Sequence, residues 1–310
     1  MISVLMCVYN ESESILSQSI TSIKEQSNSE WELIIVNDNP DDKNLSKFLM
    51  QIKKNDPRIN IFTNEHNYGL VTSLNIAFSK AQGEYIARMD ADDVANNKRL
   101  EKQIEFLEKN NLDFIFSNVQ SIDESGEIHK EKVLPATDLI DSDKIKDIMS
   151  FTDIAFHPTW FMKKPVMTEL NGYRSINSAE DYDFVIRAIR AGLHLGYQGE
   201  VLLQYRYRLG SISRNNTLRQ EKINTILQKG LTEDESWNDW SIKQVNDLKI
   251  REQEEKKLNR ILQSGVQFKN SKKISSGCEL FVRMLLYPKG IKPVFRKITV
   301  DKRIREIFYK

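Results

Sequence analysis

Across the first hundred residues, short apolar runs alternate with segments of helical spacing, and the apolar runs end in polar residues. Residues 2–8 and 33–36 are apolar runs of the kind expected for strands covered on both faces. They end in Asn10-Glu11 and Asn37-Asp38. Leu16, Ile20 and Ile23 recur at helical spacing between them, and Leu45, Phe48, Leu49 and Ile52 do so after the second. Residues 59–62 give a third strand, Leu70, Leu74, Ala77 and Phe78 a third helix with Gly83 as a left-handed C-cap, and residues 85–89 a fourth strand running into Asp90. This alternation predicts an α/β fold with a mostly parallel sheet and right-handed crossovers. Ligands of such sheets bind beyond the carboxyl ends of the strands, where this chain places its polar residues.

After residue 100 the pattern changes. Leu100, Ile104 and Leu107 mark a helix, residues 114–119 a strand, and residues 179–191 a helix with Ser178 as N-cap and Gly192 just past its end. The stretch 135–150 is polar and ambiguous. Beyond about residue 214 the composition turns to Lys, Glu, Gln and Asn with helical periodicity, which predicts an α/β domain over 1–215 and a helical region over 216–310.

Asp90-Ala91-Asp92-Asp93 follows an apolar strand directly, so its carboxylates emerge at the ligand-binding edge. Residues two apart on an extended chain project to one side, and Asp90 and Asp92 can converge on one site. Clustered carboxylates repel one another unless a cation joins them, and oxygen ligands suit Mg²⁺ or Mn²⁺ completed by a substrate diphosphate. An isolated Asp-x-Asp reads better as a turn with solvated acids. Its position in the strand–helix series reverses that preference.

The ordered motifs Val8-Tyr9-Asn10-Glu11, Val36-Asn37-Asp38, Asn67-Tyr68-Gly69-Leu70 and Ala87-Arg88-Met89-Asp90-Ala91-Asp92-Asp93 resemble those of family 2 glycosyltransferases of the GT-A fold. The resemblance continues through His157-Pro158-Thr159, Gly172-Tyr173-Arg174, Ala179-Glu180-Asp181-Tyr182-Asp183 and Tyr205-Arg206, over residues 1 to about 215. It implies inverting transfer of a sugar from a UDP-sugar to a carbohydrate or lipid-linked acceptor, in the building of extracellular or capsular polysaccharide. It also implies that Val8, Tyr9, Asn10, Glu11, Asp38, Asn67, Gly69, Arg88, Asp90, Ala91 and Asp92 bind the donor nucleotide, with Asp38 accepting from the uracil imide. Asp92 is the implied metal ligand, and Asp90 contacts ribose or the metal's water shell.

Inversion needs a base on the acceptor hydroxyl, and the resemblance puts it on Asp181. Ser178-Ala179-Glu180-Asp181 also fits a capping box with Asp181 at the third helical position, a purely structural alternative. Glu180, Asp183 and His157 are acceptor-contact candidates, His157 equally readable as a packed loop histidine. Arg99, Arg206 and Arg208 are candidates for the diphosphate. Arg208 stands where family members often carry histidine, and a guanidinium pairs with phosphate but cannot ligate a metal.

Formal net charge is +1, which gives no reason to expect a nucleic-acid partner. Its distribution is uneven: from Lys269 onward, cations such as Lys272, Lys273, Lys289 and Lys292 far outnumber acids and are interleaved with Phe281, Leu285, Ile304 and Phe308. Such a segment suits an anionic membrane surface, or a helical subdomain packed on its apolar face. Two distant cysteines, Cys7 and Cys278, read as reduced thiols, and no leader is expected ahead of the first strand. The expected location is cytoplasmic, peripheral on the inner face of the membrane. Two rival readings are a nucleotidyltransferase acting on sugar phosphates, whose Gly-rich loop residues 8–12 lack, and a non-catalytic carbohydrate-binding relative, against which the joint presence of Asp38, Asp92 and Asp181 argues.

Overall fold

The computed structural model describes residues 1–132, 134–176, 178–207, 217–232, 237–249, 253–254, 256, 260–261, 300 and 302–309. The chain forms two compact units, residues 1–149 with 153–208, and residues 150–152 with 209–310.

The first unit opens with the expected series: β1 Ile2–Val8, α1 Glu13–Lys24, β2 Trp31–Asn37, α2 Lys43–Asn55, β3 Ile59–Thr63, α3 Leu70–Lys80 and β4 Tyr85–Arg88. Local chemistry sets the helix starts. Ser12 caps α1 by accepting from Ile15 N–H, and the Asp42 carboxylate caps α2 by accepting from the N–H groups of Asn44 and Leu45. Strands β3, β2, β1 and β4 lie side by side in that order, all parallel. Both faces are covered, since β2 is buried along its whole length and only Cys7 of β1 is partly open. Leu16, Ile20 and Ile23 of α1 and Leu45 and Leu49 of α2 share one apolar core with Val4, Met6 and Leu33. Burying each such side chain contributes about 1.5–3 kcal/mol.

The later elements extend this sheet in a way that hydrophobic periodicity does not reveal. After β5 Val94–Ala95 and α4 Arg99–Lys109 come β6 Phe114–Ile122, β7 Ile128–Lys132, α5 Ser142–Met149, a 3₁₀ turn His157–Thr159, β8 Phe161–Lys163, α6 Lys164–Glu169, α7 Glu180–Arg190 and β9 Leu195–Arg206. The sheet continues from β4 through β8, β6 and β9 to β5, with β7 on β6. Here β8 is antiparallel to β4 and β6, while β9 runs parallel to β6. The ambiguous stretch 135–150 contains α5, whose Ile145, Ile148 and Met149 are buried.

Two expected termini differ. Helix α3 ends at Lys80, and Gly83 is not its left-handed cap. A Cβ at Gly83 would lie 2.7 Å from Ser3 N and 2.8 Å from Met1 O, so glycine there permits close backbone approach. Helix α7 has Ala179, not Ser178, as its N-cap residue, and no side chain caps it. Ser178 stands one residue earlier with φ +75°, so the expected capping box is not formed.

In the second unit, α8 Thr217–Gln228, a 3₁₀ turn Lys229–Leu231 and α9 Trp237–Asn246 are described, with a further helical stretch over 302–308. Ile304 and Phe308 are buried. Most of the basic tail, including Lys272, Lys273, Lys289 and Lys292, lies outside the described residues. Among the described residues no helix is long and apolar enough to cross a membrane.

Candidate active site

The site grows from the carboxyl ends of β1, β2 and β4. The end of β1 is tied to β2 where Asp38 N–H donates to Val8 O at 2.9 Å. Beyond it, Tyr9 N–H donates to Glu11 Oε2 at 2.9 Å and Asn39 Nδ2 donates to Tyr9 O at 2.8 Å, so the loop 9–11 is held on both sides. Tyr9 and Asn10 face solvent. Asp38 is buried and organises the loop before α3. Its Oδ1 accepts from Asn64 Nδ2 and Tyr68 N–H, both at 2.7 Å, and its Oδ2 accepts from Gly69 N–H at 2.9 Å. Gly69 N–H is shared with Asn67 Oδ1, also at 2.9 Å. Gly69 has φ +80°, a conformation that side chains beyond glycine adopt at a cost. A carboxylate offers about four acceptor positions, so Asp38 retains capacity on Oδ2.

At the end of β4, one carboxylate oxygen from each of Asp90, Asp92 and Asp93 comes within 4.8 Å of the others. This oxygen-only set fits the hard divalent cations Mg²⁺ and Mn²⁺. Asp90 and Asp92 are partly open and Asp93 is fully buried. Asp93 Oδ1 accepts from Arg206 N–H at 2.8 Å, while its buried Oδ2 has no protein donor. Burial and then the charges of Asp90 and Asp92 push the Asp93 carboxyl well above the usual carboxylate range.

Arg88 is the internal counter-charge. Its guanidinium is buried, with Nη2 2.5 Å from Asp90 Oδ1, while Nε and Nη1 meet no protein acceptor. Its positive charge opposes the upward shift of Asp93, of Glu180 and of Asp181.

The second acidic group stands at the start of α7. Asp181 Oδ1 accepts from the N–H of Tyr182 at 2.7 Å, placing the carboxylate on the helix's own N-terminal donors. Burial pushes its carboxyl upward, as does Asp90. Glu180 is pushed up to about 7 by burial and then by the charge of Asp181. A third carboxylate, Asp153, joins them. Its Oδ1 accepts from Ala155 N–H at 2.8 Å, and burial followed by the charge of Asp181 raises its proton affinity well above the ordinary. No motif or periodicity marked Asp153, which lies just beyond a polar stretch and three residues before Phe156.

Several expected ligand contacts turn out to be internal struts. Asp183 is fully buried, accepting from Arg187 Nε at 2.9 Å and from Arg174 Nε at 3.0 Å, so it does not face an acceptor. The i,i+4 spacing of Asp183 and Arg187 was the signal in the sequence. His157 is the packed loop histidine: its Nε2 is 2.8 Å from the Tyr173 hydroxyl, its ring lies against Trp160, and burial and then Arg88 hold its proton affinity well below the usual. Arg99 is wholly buried and donates to Gln103 Oε1 at 2.9 Å and Arg88 O at 2.7 Å, which steadies the end of β4 and leaves no face for a diphosphate. Arg206 is likewise spent on the protein, its Nε donating to Asp92 O at 2.7 Å and its Nη1 to Asp123 O at 3.0 Å. Arg208 lies outside the described residues.

A family model described as Glycosyl transferase family 2 matches residues 3–165. An uncharacterised glycosyltransferase of Methanocaldococcus jannaschii is 38% identical over 210 residues, covering 66% of this chain and 70% of its own length. The O-antigen biosynthesis glycosyltransferase WbnJ of Escherichia coli is 35% identical over 208 residues, 66% of this chain and 79% of that protein. Among solved structures, S. aureus TarS 1-349 in complex with UDP-GlcNAc superposes with a TM-score of 0.60 at 17% identity, covering 98% of this chain and 91% of that one. That likeness concerns the fold, and the fold it shares is GT-A.

Proposed function

The chain belongs to the family 2 glycosyltransferases, and we propose that it moves a sugar from a UDP-sugar to a carbohydrate or lipid-linked acceptor with inversion, in polysaccharide synthesis. The observation that carries this reading is that two acidic groups share the field of one buried cation, Arg88. One is the oxygen-ligand cluster of Asp90, Asp92 and Asp93, and the other is the proton-retaining pair Glu180 and Asp181. The UDP-GlcNAc named with the TarS structure and the O-antigen named with WbnJ support the donor and acceptor classes.

In this proposal Asp92 and Asp90 hold Mn²⁺ or Mg²⁺, which when bound neutralises the departing diphosphate. The loops at residues 8–11 and 67–69, with Asp38, cradle the nucleoside. Arg88 holds Asp90 in place. Asp181 takes the proton of the attacking hydroxyl, and the buried setting of Glu180 and Asp181 makes that proton transfer more favourable than to a solvated carboxylate. The tail's excess of Lys and Arg supports a peripheral position on an anionic membrane.

The test is to incubate the protein with a panel of UDP-sugars and Mn²⁺ and assay UDP release, alongside calorimetry of UDP with and without the ion. UDP release with one or a few donors is expected, as is UDP binding that strengthens with Mn²⁺. Asp92→Asn is expected to abolish that strengthening. Metal-dependent UDP binding unchanged in Asp92→Asn would remove the ligand assignment.

A further inference from the structure

Two acceptor contacts expected from the motifs, His157 and Asp183, are buried and committed to the protein. What borders the two acidic groups instead is a line of aromatic rings. Phe156, half-buried, lies three residues beyond Asp153 on the segment that carries it. Its ring centroid is 6.2 Å from that of Tyr205, and Tyr205 is 6.3 Å from Tyr207. Tyr205 is partly open, and Tyr207 is 45% exposed. The two tyrosines are two residues apart on extended chain, because Tyr207 N–H still donates to Ile122 O at 2.8 Å and so prolongs the β9 pairing. Residues at that spacing share a face. Arg206 between them turns inward to Asp92, which fixes the face the rings present.

We propose that Phe156, Tyr205 and Tyr207 form the floor on which the acceptor saccharide lies, with the apolar C–H faces of its rings against the aromatic rings. The proposal rests on the glycosyl-transfer reading above. Its inner end adjoins both acidic groups. Phe156 follows Asp153, while Tyr205 directly precedes Arg206, whose backbone N–H and Nε hold Asp93 Oδ1 and Asp92 O. A protonated phenol beside carboxylates can donate to a sugar oxygen, and the carboxylates can accept from sugar hydroxyls. Tyrosine suits such a ligand because it joins a wide apolar face to a polar tip with little flexibility to lose. The line continues from Tyr205 to Tyr207, the most exposed of the three rings. A single donor sugar has no use for that outer ring, whereas an acceptor of two or more units does.

The experiment applies the full-length protein, with UDP and Mn²⁺ present, to a printed array of bacterial surface oligosaccharides, and titrates the same preparations with UDP. Oligosaccharides are expected to be retained better than their constituent monosaccharides. Tyr207→Ala and Tyr205→Leu are expected to lower retention of the best oligosaccharide about 3- to 10-fold each, the scale of one lost aromatic contact. Tyr205→Phe, which keeps the ring, should retain most of it, and UDP affinity and thermal midpoint should hold in Tyr207→Ala. If UDP itself does not bind the wild-type protein, the donor reading fails and the platform with it. If UDP binds normally and both ring-removing variants match the wild type across the array, or no oligosaccharide is retained, the platform alone is overturned.

Discussion

Asp181 illustrates how one residue's role depends on its exact place in a helix. At the third position behind a serine cap it would have been half of a capping box, but Ser178 has φ +75° and Ala179 caps α7 instead. Asp181→Asn preserves size and hydrogen-bond acceptance while removing the base. Turnover is expected to fall by about two to four orders of magnitude, with UDP affinity nearly intact. Glu180→Gln serves as the control, since a base role for the neighbour would move the large defect there.

The pair also sets a pH dependence. A base works only when ionised, and Glu180 is held up to about 7 by burial and the charge of Asp181. Burial raises the Asp181 carboxyl, so turnover should rise with pH along an acid limb that lies above that of a solvated aspartate, and Glu180→Gln should move that limb to lower pH by removing a like charge. Stability runs the other way. A carboxyl that holds its proton more tightly folded than unfolded loses folding stability as pH rises from its unfolded value of 4.5 through about 7. Glu180→Gln should thus melt about 2–5 °C above the wild type at pH 8, the gap closing near pH 4.

Asp183 makes the opposite point. Two arginines, Arg174 and Arg187, converge on its fully buried carboxylate. Asp183→Asn strands both guanidinium groups, and denaturant unfolding should report a loss of about 3–5 kcal/mol. The letters Glu-Asp-x-Asp in the sequence could not separate the ligand-facing acid from the strut, because both are aspartates on one helical turn. Their partners distinguish them, two arginines on Asp183 against a backbone N–H on Asp181, and those partners come from the folded surroundings of α7. Arg99 and Arg206 are not the diphosphate contacts expected of them, and His157 takes the second of its two readings, for the same reason: polarity in a motif does not say whether the partner is a ligand or a group of the same chain.

Elements were more legible than residues where both faces of a strand are covered. Strands β1 to β4 and helices α1 to α3 stand close to the positions set by apolar runs, because a buried parallel strand leaves no alternative reading for such a run. The two-residue β5 and three-residue β8 left no periodic trace, being too short for one. Their positions come from pairing with β9 and β4, which is a property of distant sequence. Gly83 shows the limit of turn rules: it follows a helix, yet what demands glycine is the backbone of Ser3, eighty residues earlier. Gly83→Ala should accordingly cost about 1–3 kcal/mol by overpacking, read from the urea midpoint. Gly192→Ala offers a comparison, since Gly192 has φ +75° with open space around it and its penalty is backbone strain instead.

At the scale of the whole chain, the change of composition suggests a boundary near residue 215, whereas the two compact units divide at 208/209 with residues 150–152 joining the second. The basic tail poses the remaining question at this scale. In the described portion Ile304 and Phe308 are buried, so their apolar surface is already used inside the protein. That leaves charge as the term expected to hold the enzyme on a membrane. In the full chain, the quadruple change Lys272→Gln, Lys273→Gln, Lys289→Gln and Lys292→Gln should sharply reduce sedimentation with vesicles containing phosphatidylserine. Wild-type binding should weaken between 50 and 300 mM salt by about the same route, since ionic screening shortens such attraction. Equal sedimentation of both proteins at low salt would show that the tail does not hold the membrane.

The clamp that Arg206 places on the acidic loop has a consequence in time. Arg206 binds Asp92 O and Asp93 Oδ1 across separations of 114 and 113 residues. During synthesis the loop 90–93 therefore leaves the ribosome long before the residue that fastens it. Until β9 has emerged and paired with β6, Asp93 lacks its backbone donor and the three neighbouring carboxylates have Arg88 as counter-charge but not the Arg206 clamp. Contacts this distant along a chain form late, after the local strand–helix units are in place. A nascent chain halted at residue 190 would carry every acid of the site, including Asp181, and still be unable to hold them together.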